Sequence, residues 1–424
     1  MTFNVTNAGG GTLDWTIADP ETCAAYVTAA GICGVAQVLL GEDPMAGSLS
    51  ALESGQVTVD MNMNAVNKAM TLPEAALVQV DAGGQQKLIA VSVDVRVREW
   101  SLVGADGFAL SYSGIADFAI NPVTGIPYVA FANEDGKASV MAYHEGTDAW
   151  SSVGPASISD FGIGLPMANH ALAFSPDGTP YIFYSEFDEL GIEKAATVRK
   201  FNGIGWVLVG EAGLTGDIGD FSAESIAIDS GGVPYVAIRE MTEESDLKAT
   251  VMRFVDDSWE VVGERFFSPD VTSEVTMVFD SSNTPYVAFV DGDLGAGMTA
   301  GVTVMRFDGL AWVAVGDRKF TNHDSRNLDL AINPITEQPA VAYFDFELGN
   351  TPDPMMFDGE NWTPLGEGVL WGGFNQNQAL AFKDDGTPYF THDDKPLKVW
   401  KFNGDDWTNV GELDDGEGMA AIAV

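Results

Sequence analysis

The chain has 424 residues, 46% of them hydrophobic, and its 62 acidic residues against 20 basic ones leave a net charge of −42. Such a charge repels phosphate backbones and anionic lipid, which excludes nucleic acid as a partner. No run of 18 apolar residues occurs, which excludes insertion into a membrane through a helix.

The chain opens in strand-like alternation with TFNVTN. An exported protein of this kind is expected to have had its signal removed, or to carry it outside these residues. Further strand-like stretches follow at TLDWTI, GQVTVDMNM, AALVQVD and KLIAVSVDV, with glycine-rich turn signals NAGGGT and DAGGQQ between them. Residues 1–97 therefore read as a small β-sandwich. Within it Cys23 and Cys33 stand ten residues apart, with no third ligand near enough to complete a zinc site. We read them as a disulfide closing a loop, as expected of an extracellular or cell-surface protein, with two separate buried thiols as the alternative. The opening FNVTNAGGGTLDWTI and the closing ALVQVDAGGQQKLIAVSVDV resemble the two ends of the BACON family of immunoglobulin-like domains. The cysteine loop between them departs from that family's compact form. The resemblance implies a bacterial surface or secreted protein, or a phage protein. Its members are usually read as carbohydrate- or mucin-binding modules or as spacers beside enzymes.

From about residue 98 to 424 the text repeats. Trp100, Trp150, Trp206, Trp259, Trp312, Trp362 and Trp407 each open a W-x-x-[VL]-G phrase. Between consecutive phrases lie a polar loop, a short apolar strand such as LAFSPD, a Gly/Asp/Pro turn, and a second strand beginning at Pro-Tyr. A third strand such as TVMRF follows, then a turn such as FNGIGW. Asn-Gly and Asp-Gly between apolar runs predict type I′ hairpins. Alternation in TVMRF predicts one buried and one wet face. The first strand carries a small residue at its centre (Ala119, Ala173, Ala227, Val278, Ala331, Ala381), as expected where strands crowd about an axis. Four antiparallel strands repeated every 45–56 residues make a β-propeller blade, ordered inner, Pro-Tyr, third and Trp strand. A solenoid is the rival, but no distinct capping repeat appears at either end. The count of complete units favours six blades, with seven as the alternative. The repeats resemble those of large bacterial secreted proteins and match neither kelch nor tryptophan-aspartate signatures. The whole chain is thus all-β, a small β-sandwich followed by a β-propeller.

No catalytic constellation emerges. GxSxG and HExxH motifs are absent, SPDGTP does not fit the sialidase Ser-x-Asp-x-Gly box, and the four histidines are scattered and read as surface or loop residues. Of the arginines, Arg239, Arg318 and Arg326 fall near predicted blade-face loops. Acidic clusters follow the second strands. Among them Asp291 and Asp293, in DGDLGAG, and Asp345 in the next repeat are the candidate ligands of a Ca²⁺ ion, a solvated acidic loop being the alternative. In LWGGFNQNQ, Trp371 and Phe374 stand beside Asn375, Gln376 and Asn377. Aromatic faces and amides suit sugars, so these five residues are the candidate ligand site. The functional expectation is a non-enzymatic binding or adhesion module that recognises a glycan or a surface protein through propeller-face loops. The alternatives are a glycosidase or lyase using channel carboxylates, and a structural subunit of a larger surface assembly or phage particle.

Overall fold

The chain divides into two compact units, Met1–Glu99 and Trp100–Val424. The structure, a computed structural model, describes the backbone of six strands between residues 2 and 95. Beyond them it describes residues 116–163, 171–187, 193–214, 225–292, 300–321, 325–345, 351–366, 378–392 and 397–413, together with residue 422. In the first unit Thr2–Thr6 pairs antiparallel with Ser54–Thr58, and Ala46–Leu49, Leu13–Ile17, Met70–Ala82 and Gln85–Val95 form a four-stranded sheet in that order. The packing that would make these sheets a sandwich, Cys23 and Cys33, and the family resemblance all rest on features outside the described residues.

The second unit is a six-bladed β-propeller. The six inner strands are Ala116–Ile120, Leu172–Phe174, Ser225–Ile228, Thr272–Phe279, Ser325–Ile332 and Gln378–Phe382. Each leads through a short turn into a second strand whose first residue is a proline: Pro127, Pro180, Pro234, Pro285, Pro339 or Pro388. Third and outer strands follow in chain order, so every sheet reads inner, second, third, outer. In blade 5 the segment Thr351–Pro352 pairs as an extra piece with the second strand.

The core lies between the blades. Each of five apolar clusters draws on two successive blades. Tyr235 and Ala237 pack towards blade 4, whereas Val236 and Ile238 pack towards blade 2. Alternate residues of one strand thus serve two junctions, which corrects the expectation of one wet face. In blade 3 the third strand has Ala249, Thr250, Val251 and Met252 buried in succession. The small inner-strand residues also have a more local reason than crowding. Ala119, Ala173, Ala227, Val278 and Ala381 stand directly opposite the tyrosines of the Pro-Tyr pairs.

The W-x-x-[VL]-G phrase joins blades. The indole Nε1 of Trp206 donates to the Val153 carbonyl of the preceding blade's phrase at 2.7 Å. Trp259, Trp312, Trp362 and Trp407 do the same to Val209, Val262, Val315 and Leu365 at 2.6–2.9 Å. The phrase must end in glycine. At Gly154, with φ +77°, a Cβ would stand 2.9 Å from Phe201 and 3.4 Å from the Trp206 ring.

The hairpin chemistry differs from expectation. In FNGIGW only the glycine is left-handed. Asn202 Oδ1 accepts from the N–H groups of Ile204 and Gly205, so an Asx turn closes a four-residue loop. The two-residue turn with both central residues at positive φ is Asp256-Asp257 in blade 3, which has no glycine.

Inner strands of neighbouring blades are bridged by side chains. Asp117 Oδ2 accepts the Leu172 N–H of blade 2, Ser225 Oγ the Met277 N–H of blade 4, and Asp329 Oδ2 the Leu380 N–H of blade 6. These bonds satisfy edge donors that no strand pairs.

Candidate functional site

Antiparallel order sends the end of each second strand and the start of each inner strand to the same side of the propeller. The hairpins joining second to third strands, and the connections from outer strands to the next inner strand, lie there too. We call this the loop face. The opposite turn face carries the short turns 121–126, 175–179, 229–233, 280–284, 333–338 and 383–387 and the hairpins leading to the outer strands.

On the loop face a polar residue recurs six positions after the second-strand proline: Asn133, Glu186, Glu240, Asp291 and Asp345. Each of the first four reaches a connecting segment. Asn133 Nδ2 donates to the Ala156 carbonyl, and Glu186 Oε1 accepts the Phe161 N–H at 2.7 Å. Arg265 grips Glu240 through both Nε and Nη2. Arg318 grips Asp291 Oδ2 at 2.8 and 3.1 Å, and Thr303 donates to the same oxygen. Arg265 and Arg318 each stand two residues beyond the phrase glycine, so each arginine straps the connection to its own blade.

This geometry locates the candidate calcium ligands. Asp291 is fully buried in its ion pair with Arg318. Asp345 is buried at the end of the blade 5 second strand, opposite Ser325, and Asp293 lies outside the described residues. Among the described residues no group of three or more His, Cys, Asp or Glu side chains is placed to hold a metal ion. Trp371, Phe374, Asn375, Gln376 and Asn377 also lie outside the described residues. His144 is exposed as expected, but His392 is fully buried at the end of the strand Pro388–His392, a correction to its reading as a surface or loop residue.

Closer to the axis, a polar run crosses four blades. In blade 3, Arg239 is buried and its Nη1 donates to the Thr272 carbonyl of blade 4 at 3.4 Å. Between Thr272 and Val275 the blade 4 inner strand bulges and presents Glu274. Glu274 Oε2 accepts the Leu328 N–H of blade 5 at 2.9 Å. Burial pushes its carboxyl up. The N–H groups of Leu328 and Asn327 and the charges of Arg239 and Arg326 oppose that shift. A matching bulge in blade 5 holds Asn327 at φ +54°, and its carbonyl accepts from Gln378 Nε2 of blade 6 at 2.7 Å. Gln378 is only 2% exposed, yet among the described residues its Oε1 has no hydrogen-bond partner. The Glu274 carboxyl and the exposed residue Arg326 can thus meet hydroxyl groups, which both donate and accept, with the buried Gln378 amide beside them in the run. Sequence reasoning placed Arg239 and Arg326 near this face but missed Glu274 and Gln378. The available signal was a polar residue just ahead of the apolar inner strand, in TSEVTMVF and NQNQALAF.

No family model and no curated protein matches the chain. Among solved structures, it is similar to the SapL1 lectin in complex with alpha methyl fucoside, at 16% identity and a TM-score of 0.48 over 73% of this chain and 99% of that one. It is similar to the fucose-specific lectin from Aleuria aurantia at 12% identity and a TM-score of 0.46, over 71% and 95% of the two chains. The GH74 xyloglucanase from Xanthomonas campestris is similar at 15% identity and a TM-score of 0.47, over 71% of this chain and 46% of that one. At such distances the ligand must be argued from this chain's own site.

Proposed function

We propose that the chain is a non-enzymatic extracellular module that binds a glycan on the loop face of its propeller. The observation that carries this reading is the loop-face polar run of Glu274, the exposed Arg326 and Gln378, whose Nε2 is held by the Asn327 carbonyl and whose buried Oε1 has no partner among the described residues. A buried amide oxygen without a donor is costly unless water or a ligand group reaches it. Along the chain, Trp371, Phe374 and the amides Asn375, Gln376 and Asn377 lead directly into Gln378, which adds aromatic faces and further amides to the candidate set. No helix among the described residues is long and apolar enough to cross a membrane.

A glycan array followed by calorimetric titration of the best ligand tests this reading. Gln378→Ala weakens binding about three- to tenfold, the worth of one neutral hydrogen bond. Glu274→Gln weakens it as well, with the melting temperature retained. Unchanged affinity in both variants overturns the proposal. The second reading, a carbohydrate-active enzyme, draws on Glu274 alone, because a carboxyl pushed up by burial suits a general acid. New reducing or unsaturated ends released from the bound glycan, and lost in Glu274→Gln, would favour that reading.

A further inference from the structure

On the turn face, neighbouring blades are tied through the turns that follow their inner strands. Asn121 Nδ2 donates to the Gly178 carbonyl at 3.0 Å between blades 1 and 2. Between blades 3 and 4, Ser230 N–H donates to Asn283 Oδ1 at 2.9 Å. Ser281 N–H donates to Glu337 Oε2 at 3.0 Å between blades 4 and 5, and Asn333 Nδ2 to the Gly386 carbonyl at 3.3 Å between blades 5 and 6. Among the described residues no such bond joins the turns of blades 2 and 3. There the blade 3 turn presents Ser230-Gly231-Gly232, whose two glycines bring no side chain to the gap. The outcome is a groove of about 770 Å³. Tyr128, Asp177, Tyr181, Lys200 and Asn202 face it.

The chemistry of the groove is unusual for this protein. Lys200 stands opposite Tyr181 in the blade 2 sheet and is half-buried. Among the described residues its ammonium makes no ion pair or hydrogen bond, in a chain where acidic residues outnumber basic ones threefold. The equivalent residue of blade 3, Arg253, has Glu260 at 3.6 Å. An ammonium that lines a groove and has no ion-pair partner gains from an anion that comes from outside. Asp177 is locked by Ser175 Oγ at 2.5 Å and the Thr179 N–H at 3.0 Å, both on Oδ1, and by the Thr179 side chain, so its carboxylate is fixed at the groove as an acceptor. The Ser175 hydroxyl and the Thr179 N–H hold its carboxyl below the usual range, so it stays an acceptor. Asn202 spends its Oδ1 on Ile204 and Gly205 and keeps its amide N–H groups for a ligand.

We infer that this groove is a second ligand site, for an acidic saccharide. A uronate carboxylate meets Lys200, and sugar hydroxyls meet Asp177 and Asn202. The site is on the opposite face from Gln378 and stands independently of the loop-face reading. Calorimetric titration of the full chain with tetragalacturonate, and with neutral maltotetraose, tests it. The acidic oligosaccharide binds and is weakened by salt, whereas the neutral one does not bind at this site. Lys200→Ala lowers the affinity about tenfold or more, the worth of one charge-assisted hydrogen bond, while Lys200→Arg retains most of it. Gln378→Ala leaves it unchanged. The inference is overturned if tetragalacturonate does not bind or if both oligosaccharides bind equally. It is also overturned if Lys200→Ala has no effect, or if Gln378→Ala abolishes binding.

Discussion

A single tryptophan illustrates how this fold is held. Trp206 is buried between blades 1 and 2, against Ala130, Val140 and Leu172. Its ring lies 5.6 Å from that of Phe201 in the adjacent strand, and its N–H is bonded to the previous blade. Two contributions can be separated. Trp206→Phe keeps most of the apolar contact but leaves the Val153 carbonyl without its donor, at a cost of about 1–3 kcal/mol. Trp206→Ala also opens a cavity and costs about 3–5 kcal/mol. Gly154→Ala leaves the indole in place but drives a methyl into Phe201 at a positive φ, and costs more than about 1 kcal/mol. Denaturant melts of the three variants check the order. Near wild-type stability in all three would remove the phrase from any structural role.

At the scale of the element, the inner strand is where local sequence and tertiary need diverge. Its free-edge backbone donors have no strand to pair them, and the preceding blade supplies acceptors: Asp329 of blade 5 uses both oxygens, one for its neighbour Leu330 and one for Leu380 of blade 6. Asp329→Ala strands two buried N–H groups and destabilises by about 2–5 kcal/mol, whereas Asp329→Asn, which keeps an acceptor, costs less. Equal loss in the two variants, measured by urea unfolding, would refute the bridging role. The same contrast explains what was legible beforehand. Blade order, strand starts at proline and the interval between tryptophans are written locally, so the propeller could be read from spacing alone. The acceptor of each indole is the backbone carbonyl of the Val or Leu in the preceding phrase, about fifty residues earlier; the phrase marks that residue, but nothing in its apolar side chain says that its carbonyl takes the bond. Asn-Gly was read as the turn itself because the Asn202 side chain's part in closing the loop depends on loop length. Glu274 and Gln378 are linked only through the blade 5 bulge, where Leu328 N–H meets one and the Asn327 carbonyl the other, and a bulge has no signature in TSEV or SRNL.

For the whole molecule, the governing quantity is a charge of −42. Sodium chloride is expected to raise the melting temperature by screening self-repulsion, without saturating as a bound ion would. Calcium binding through Asp291, Asp293 and Asp345 is tested in the same series, at matched ionic strength against magnesium and chelator. A calcium-specific rise lost in Asp293→Asn assigns the ion, and identical melting temperatures withdraw it. One further consequence belongs to the indole latches, because they all point the same way. Every latched tryptophan from blade 2 to blade 6 reaches back to an acceptor in the blade made before it, and none of the five reaches forward. Removing blade 6 would leave each remaining latch intact, whereas removing blade 1 would orphan the Trp206 N–H. The propeller is therefore vectorial. As the chain leaves the ribosome, each of these five blades finds its docking carbonyl already in place, and none of the five indoles must wait for a partner made later.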